Sequence, residues 1–224
     1  SQLVSYRIFF SLLALVTLVF LPASSAAYTL IVDADTDVVD TPVGESVTPA
    51  ELNSDPGPDG AISFREALLA NNNASPDASG LVFINTGATI QPTEPFPPIS
   101  RGPVQMLSTG EMELDGSLLN QSAPGLSIRA QGVNLDSFIV RNFPGNGIEI
   151  VVDSLPDIVI AKARISGNSG HGVSIDTGRY GCTPHCVLVS NCQITANSMS
   201  GIEISDSSVV ELRNNDIGGN GRKS

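Results

Sequence analysis

Basic residues are scarce in this sequence of 224 residues, since 11 Lys and Arg stand against 23 Asp and Glu and leave a formal net charge of −12. A chain without a basic surface cannot neutralise a phosphate backbone, which argues against nucleic-acid binding. Docking on anionic lipid is disfavoured for the same reason. Cationic ligands, Ca²⁺ and neutral glycans stay open as partners.

Charged residues of either sign are few as well, at 15%, whereas hydrophobic residues make up 41%. A chain of this composition has enough apolar surface to bury in a core, so it is not a disordered polyelectrolyte. The length suits a single domain of moderate size, and a β-solenoid can reach this length without dividing.

Long apolar runs are confined to the N-terminus. Arg7 precedes the uncharged run IFFSLLALVTLVFL, which is followed by Pro22 and the small residues ASSAA. The run is shorter than the ~20 residues that span a bilayer, and the basic flank and small-residue exit are typical of a signal peptide. We predict a signal peptide over residues 1–27, with cleavage before Tyr28. The mature protein is then secreted, periplasmic or on the cell surface, and it is not a transmembrane protein.

The second half of the chain contains an internal repeat. The strings NGIEI, HGVSI and SGIEI begin at Asn146, His171 and Ser200. Successive blocks are joined by connections of seven, eleven and five residues, and the longest connection is residues 176–186. All of the length variation in this region therefore falls at one point of the repeat.

Each repeat predicts one rung of a parallel β-helix. Alternating strings such as IVI, VLV and VSI are typical of short strands, and the Gly and Asn between them mark turns. A repeat of about 23–29 residues suits rungs that stack ~4.8 Å apart. The alternation predicts these inward-facing residues: Val133, Leu135, Ile148, Ile150, Ile158, Ile160, Ile165, Val173, Ile175, Val187, Val189, Ile194, Ile202 and Ile204.

One turn position of the repeat is occupied by asparagine. Asn168, Asn197 and Asn220 recur there. Asparagine tolerates the left-handed backbone conformation, and stacked Asn side chains can hydrogen-bond from rung to rung. We therefore predict a structural ladder of left-handed asparagines and assign these residues no chemistry.

Upstream of the repeats, the segment DGAISFREALLANNN begins at Asp59. Ser63 followed three residues later by Glu66 is a capping box, and Phe64 and Leu68 share one face of the helix that would follow. The end of a solenoid exposes its core and its strand edges, which must be covered. The segment therefore predicts a short capping α-helix over residues 63–71.

The ISFREA string at residues 62–67 resembles the CSLREA motif of secreted bacterial β-helix proteins, and GLVFINTGATIQP and GVNLDSFIVRNFPGNGIEI are similar to segments of the same family. The resemblance implies an all-β fold, a right-handed parallel β-helix of the pectin-lyase type, with no single activity attached. The expected organisation is a signal peptide (1–27), an N-terminal strand and capping segment (28–80) and β-helix rungs (81–224). Further rungs are expected beyond the C-terminus.

The longest connection, 176–186, reads DTGRYGCTPHC and contains two of the three cysteines. Cys182 and Cys186 lie four residues apart in an exported loop, where a disulfide is expected. A metal site built from these cysteines and His185 would need a fourth ligand and a reducing compartment, so no metal site is predicted. Cys192 falls on a core position of the repeat and is expected to be buried.

Within this loop, YGCTPH resembles the YG-x-D-PH motif of alginate C5-epimerases, which are parallel β-helices. In that family the Tyr and the His abstract and donate the proton at the sugar C5, and the resemblance implies these roles for Tyr180 and His185. Thr183 stands where the motif has Asp and lacks its negative charge. Tyr180 and His185 are therefore candidates either for catalysis or for glycan binding.

Carboxylates form a second candidate site. Glu149, Ser174 and Glu203 occupy the same outward position in successive repeats, so the two carboxylates should stand ~10 Å apart. This is too far to share one Ca²⁺, whose oxygen ligands lie at ~2.4 Å. A solvated acidic face is the favoured interpretation, and contact of Glu149 and Glu203 with a glycan is the alternative. The run DADTDVVD, which starts at Asp33, has the spacing of the start of a calcium loop but lacks its Gly and its final Glu. We predict no cofactor, and Ca²⁺ is the alternative left open.

Two functions stay open. A non-catalytic extracellular module, which binds a polysaccharide or cell-surface glycan or serves as a structural stalk, is favoured because YGCTPH lacks the acid of the epimerase motif and the carboxylates form no tight cluster. The alternative is a polysaccharide lyase or C5-epimerase that acts at the loop 176–186. The fold by itself does not decide between them.

Overall fold

The structure is a computed structural model that describes residues 27–85, 87–109, 112–153, 156–178, 186–206 and 209–221. These ranges contain two α-helices, α1 (Pro49–Ser54) and α2 (Phe64–Asn72), and two short 3₁₀ helices at Gly44–Ser46 and Gly116–Leu118. The strands in these ranges are β1 (Ala27–Val32), β2 (Ser79–Ile84), β3 (Thr89–Ile90), β4 (Val104–Ser108), β5 (Glu113–Asp115), β6 (Leu126–Ile128), β7 (Val133–Asp136), β8 (Ile139–Arg141), β9 (Ile148–Val151), β10 (Ile158–Ala161), β11 (Arg164–Ser166), β12 (Val173–Asp176), β13 (Val187–Ser190), β14 (Gln193–Thr195), β15 (Ile202–Ser205), β16 (Val210–Arg213) and β17 (Asp216–Gly218).

The strands form three parallel sheets that run along the molecule. Sheet A has the order β1-β2-β4-β7-β10-β13-β16, sheet B the order β17-β14-β11-β8-β5-β3, and sheet C the order β15-β12-β9-β6. The chain visits sheets A, B and C in turn, so each rung stacks on the one before it. The predicted parallel β-helix is confirmed. None of the helices in the described ranges has the length and apolar character of a membrane span.

The core lies between the three sheets. The register pairs each predicted inward residue with its equivalent in the next rung, as Ile150 with Ile175 and Ile175 with Ile204. All of the predicted core residues are buried except Ile202, which is partly buried, and Ile204, which is 46% exposed. Both residues continue the inward columns of Val173 and Ile175, as predicted, but no strand that the structure describes covers the far edge of β15.

The turns explain where the length varies. From Val133 onward, the chain passes from sheet A to sheet B by a two-residue turn whose first residue is left-handed: Ser137, Lys162, Asn191 and Asn214. The passage from sheet B to sheet C is equally constant in these rungs. In these rungs the number of connecting residues changes only at the passage from sheet C to sheet A, which we call the variable corner. This corner comprises residues 100–103, 129–132, 152–157, the connection between β12 and β13, and residues 206–209.

The predicted asparagine ladder is present. Asn168 Nδ2 donates to Asn197 Oδ1 at 2.9 Å, and Asn197 Nδ2 donates to Asn220 Oδ1 at 2.9 Å. The prediction that these asparagines are left-handed is wrong, because the left-handed residue is the one before each of them, for example Ala196. The preceding residue makes the turn, and the asparagine is then free to turn its amide into the stack.

Helix α2 caps the β1 end of the solenoid, and its capping box is formed as predicted. Ser63 Oγ accepts a hydrogen bond from Glu66 N at 3.2 Å, and Glu66 Oε2 accepts one from Ser63 N at 2.8 Å. Phe64 and Leu68 are fully buried, and the Phe64 ring meets the Phe96 ring edge-on at 5.3 Å. The ISFREA segment therefore has a structural role as a lid.

Ion pairs and hydrogen bonds of charged side chains hold the capping helix against the neighbouring segments of the chain. The Arg65 guanidinium pairs with Asp37 at 2.6 Å and donates to the carbonyl oxygens of Glu94 and Pro95, each at 2.8 Å. Burial raises the pKa of Asp37, although the hydrogen bond and the charge of Arg65 oppose this. Asp33 Oδ1 accepts a hydrogen bond from the Ile62 backbone at 2.8 Å. Carboxylates of the DADTDVVD run are thus engaged in holding the cap.

Candidate functional site

The variable corner carries a cleft of about 790 Å³. Its walls come from the corner segments of three successive rungs. Gly102 lies against the next rung so closely that a Cβ there would stand 1.9 Å from the Gln131 carbonyl oxygen. The residues that line the cleft are Ser100, Arg101, Gly102, Pro103, Arg129, Ala130, Gln131, Gly132, Val151, Val152, Asp153 and Asp157.

Arg101 lies on this cleft and forms no salt bridge with the described residues. Its side chain is half-buried, and no carboxylate among the described residues lies within salt-bridge distance of its guanidinium. The cations Arg65, Arg129, Arg141 and Lys162 differ in that each pairs with a carboxylate. An unpaired guanidinium offers its planar set of donors to an anionic ligand group such as a carboxylate.

Arg129 lies on the same cleft and is held by Glu149. Arg129 Nη2 lies 3.1 Å from Glu149 Oε2, which also accepts a hydrogen bond from Ser127 Oγ at 3.3 Å. Glu149 is thus engaged with neighbours on the outer face of sheet C. It contributes to the cleft by orienting Arg129, and contact of its carboxylate with a glycan stays a prediction.

Glu203 lies further along the same column of sheet C. The register aligns Glu149, Ser174 and Glu203 in successive rungs, as the repeat indicates, and Ser174 Oγ donates to Glu203 Oε2 at 3.3 Å. Glu203 does not line the cleft beside Arg101. Glu149 is therefore connected to the cleft through Arg129, whereas Glu203 lies outside the cleft.

A second cleft, of about 600 Å³, continues onto the outer face of sheet A. It shares Pro103, Gly132 and Asp157 with the first cleft, and it adds Gln105 and other residues of sheet A. Two clefts with a common wall form a bent groove around the variable corner. A groove of this form suits an extended ligand better than a compact one, and its amide and carboxylate groups suit hydroxyl groups.

The two described ends of the loop 176–186 lie at the same corner. Val152 N donates to the Asp176 carbonyl at 3.1 Å, and Ile158 N donates to the Cys186 carbonyl at 2.9 Å, so both ends of the loop lie directly above the cleft segment 152–157. Cys186 is buried and disulfide-bonded.

Several predicted site residues belong to the part of the loop outside the described residues. These are Tyr180, Cys182 and His185. The pairing of Cys186 with Cys182 and the roles of Tyr180 and His185 stay predictions. Cys192, by contrast, is described: it is free and buried, as predicted, and burial raises the pKa of its thiol.

No metal centre is found in the part of the chain that the structure describes. No group of three or more His, Cys, Asp and Glu in these ranges is placed to hold an ion. Two cleft residues, Asp153 and Asp157, are acidic. They could contribute oxygen ligands to a Ca²⁺ together with water or with oxygens of a bound ligand, because Ca²⁺ takes six to eight such ligands.

The sequence and the fold of this chain are similar to those of known β-helix proteins. Residues 66–224 match the model of a family described as "Right handed beta helix region". This chain belongs to the right-handed β-helix family. The crystal structure of pectate lyase Pel9A is similar to this β-helix, with a TM-score of 0.56 and 15% sequence identity over 90% of this chain and 56% of that one. At this identity the likeness shows the fold, and this chain spans little more than half of that lyase. No curated protein matches this sequence.

The cleft residues of this β-helix were missed by reasoning from the sequence. Arg101, Asp153 and Asp157 belong to no motif, and Arg129 directly follows the short strand pattern LSI. The signal that could have found them is the alignment of rungs, because Arg129, Val151 and Asp176 fall at equivalent positions. That alignment places Arg129 at the corner that carries the long loop.

Proposed function

We propose that this chain is a non-catalytic β-helix module that acts outside the cytoplasm and binds an acidic glycan in the groove at the variable corner. The observation that carries the proposal is the unpaired Arg101 guanidinium on the wall of that groove. A charge-assisted hydrogen bond between a guanidinium and a carboxylate is among the stronger polar contacts that a protein makes. The groove residues Gln105 and Gln131 supply neutral donors and acceptors for sugar hydroxyls.

The length of the groove supports a polymeric ligand. The two clefts adjoin at Pro103, Gly132 and Asp157, which line both, and both are open to solvent. The name of the structural neighbour, a pectate lyase, refers to an enzyme of an acidic polysaccharide, which fits the same class of ligand. We therefore propose an oligomer of uronic acids as the ligand.

The overall charge of −12 opposes an anionic ligand at long range. The Debye length is about 8 Å at physiological ionic strength, so distant carboxylates are screened while a contact at Arg101 persists. Binding of an acidic oligomer is thus expected at physiological salt, and weaker binding at very low salt is expected from unscreened repulsion. Added Ca²⁺ can offset the repulsion from Asp153 and Asp157 on the cleft wall.

The test compares oligogalacturonate with a neutral galactan oligomer by isothermal titration calorimetry. We expect the acidic oligomer to bind more tightly, and Arg101→Ala to weaken it about tenfold, which corresponds to ~1.4 kcal/mol. Arg213→Ala is the matched control, because Arg213 is an exposed cation that pairs with Glu211 outside the groove. Equal affinity for both oligomers, or equal losses in the two variants, would contradict the proposal.

A separate activity assay tests the catalytic alternative. Incubation with pectate and alginate, with and without Ca²⁺, is followed for unsaturated products by ultraviolet absorbance and for C5 inversion by NMR. We expect no turnover. Turnover that His185→Ala abolishes would show that the loop 176–186 carries an enzyme site and would overturn the non-catalytic assignment.

The location outside the cytoplasm is proposed from the predicted signal peptide. Strand β1 begins at Ala27, next to the predicted cleavage point before Tyr28. N-terminal sequencing of the exported protein should read Tyr-Thr-Leu. A cytoplasmic protein that retains residues 1–27 would contradict this part of the proposal.

A further inference from the structure

Three consecutive asparagines end the capping helix and reach two different parts of the chain. Asn71 Nδ2 donates to the Arg101 carbonyl at 3.0 Å. Asn72 Nδ2 donates to the Pro98 carbonyl at 2.7 Å, and Asn72 Oδ1 accepts a hydrogen bond from Ser100 N at 2.9 Å. The first two asparagines therefore hold the segment 98–101 from its start to its end.

This segment leads directly into the groove. Ser100 and Arg101 line the first cleft, and Pro103 lines both. On the far side, Gly102 is pressed against the Gln131 carbonyl of the next rung. The Arg101 backbone is thus fixed between the capping helix and the following rung, and that fixes the point from which its guanidinium reaches the ligand.

The contact at the Arg101 carbonyl is partly buried and is supported by β1. Asn71 is fully buried, and its Oδ1 accepts a hydrogen bond from the Tyr28 hydroxyl at 2.5 Å. Burial raises the pKa of Tyr28 to about 12, although the charge of Arg101 opposes the shift. The hydroxyl therefore stays protonated and remains a donor at any physiological pH. With its oxygen occupied, the Asn71 amide directs its nitrogen at the Arg101 carbonyl.

We propose that Asn71 and Asn72 are positioning residues for Arg101, so that the capping helix sets the geometry of anion recognition in the groove. The proposal rests on the proposed function for its ligand, but its structural part stands apart from it. A segment held by three directed hydrogen bonds presents Arg101 in one place, which reduces the ordering that binding requires. The ISFREALLANNN segment is then a lid and also part of the binding site.

Asn73 supplies a matched control. It is the next residue of the same run, and its Nδ2 donates to the carbonyl oxygens of Glu45 and Val47, at 2.8 and 3.0 Å. Neither acceptor lines the groove clefts. Asn72→Ala removes three side-chain hydrogen bonds near the end of α2, since Asn72 Oδ1 also accepts one from Asn71 Nδ2 at 3.5 Å, and Asn73→Ala removes two. Only Asn72→Ala releases the segment that carries Arg101.

The experiment has two arms on the full chain. In the first, amide hydrogen exchange is measured for Asn72→Ala, Asn73→Ala and wild type without ligand. We expect faster exchange between Ser100 and Val104 in Asn72→Ala alone. Unchanged exchange there, or the same increase in Asn73→Ala, overturns the positioning proposal whether or not any glycan binds.

In the second arm, oligogalacturonate affinity is measured for Asn72→Ala, Arg101→Ala and the double variant. We expect Asn72→Ala to weaken binding about threefold to tenfold, and to cause no further loss when Arg101 is already Ala, because its effect passes through Arg101. Asn73→Ala should bind as wild type does. If the double variant loses the affinity that each single substitution loses, added together, the positioning proposal is overturned. If the wild type does not bind oligogalacturonate, the proposed function is refuted, and the hydrogen-exchange result alone decides whether Asn72 positions the segment.

Discussion

Truncation of one isoleucine column tests the stacked-rung architecture directly. Ile150, Ile175 and Ile204 occupy one inward column of sheet C, in successive rungs. Ile175 is completely buried between its two neighbours, whereas Ile204 is 46% exposed. The same substitution, isoleucine to alanine, can therefore be made twice in one column at very different burial.

The expected magnitudes follow from burial. Ile175→Ala removes three carbon atoms at about 0.8 kcal/mol per methylene, and the enclosed cavity raises the loss of unfolding free energy to about 2–5 kcal/mol. Ile204→Ala removes the same atoms from a half-exposed site that leaves no enclosed cavity. Its expected cost is about 1 kcal/mol.

The measurement is urea unfolding of the wild type and both variants, followed by circular dichroism. The midpoints are compared at a constant m-value, which checks that the variants expose the same surface on unfolding. Equal losses in the two variants would refute the reasoning, because burial between rungs would then not govern stability. A loss below about 1 kcal/mol for Ile175→Ala would refute it as well.

Two further predictions concern polar groups. Asn197→Ala should cost about 2–3 kcal/mol, because it leaves the buried Asn168 amide without its acceptor; thermal unfolding measures this, and a cost near zero would mean that the ladder is dispensable. Burial raises the pKa of Asp115, but hydrogen bonds, first that from Asn142, and the charge of Arg141 outweigh burial and hold the pKa below its usual 3.8. A lowered folded pKa gives stability that is present above the unfolded pKa and is lost as the pH falls below about 4. Asn142→Ala should make the acid-side loss of unfolding free energy shallower, and an unchanged pH profile of the urea midpoint would contradict this.

The repeat and the cap were predictable for local reasons. The alternation at Val173 and Ile175 determines which face of a strand is buried, because a slip of one residue would turn every apolar side chain outward. The capping box at Ser63 and Glu66 is a contact within one helical turn. The helix α1 was overlooked, although Thr48 and Glu51 form the same box.

The candidate site was predictable only in part. Glu149 was identified from its column, but its partner Arg129 was not, because that ion pair joins neighbouring rungs across the end of a strand. The exposure of Ile204 was missed for a related reason: the alternation indicates which way a side chain points, and only a neighbouring rung buries it.

The sequence by itself determined the parallel β-helix, its register and the corner at which its length varies, since each depends on a pattern within one rung that the next rung repeats. The tertiary structure alone decided the groove. Its walls join β1, the segment 100–103 and the corners of the next two rungs, which lie far apart along the chain. Whether Arg101 finds a carboxylate, and which backbone Asn71 and Asn72 hold, depends on distances between these segments. Such distances are set when the rungs stack, and no periodicity in the chain encodes them.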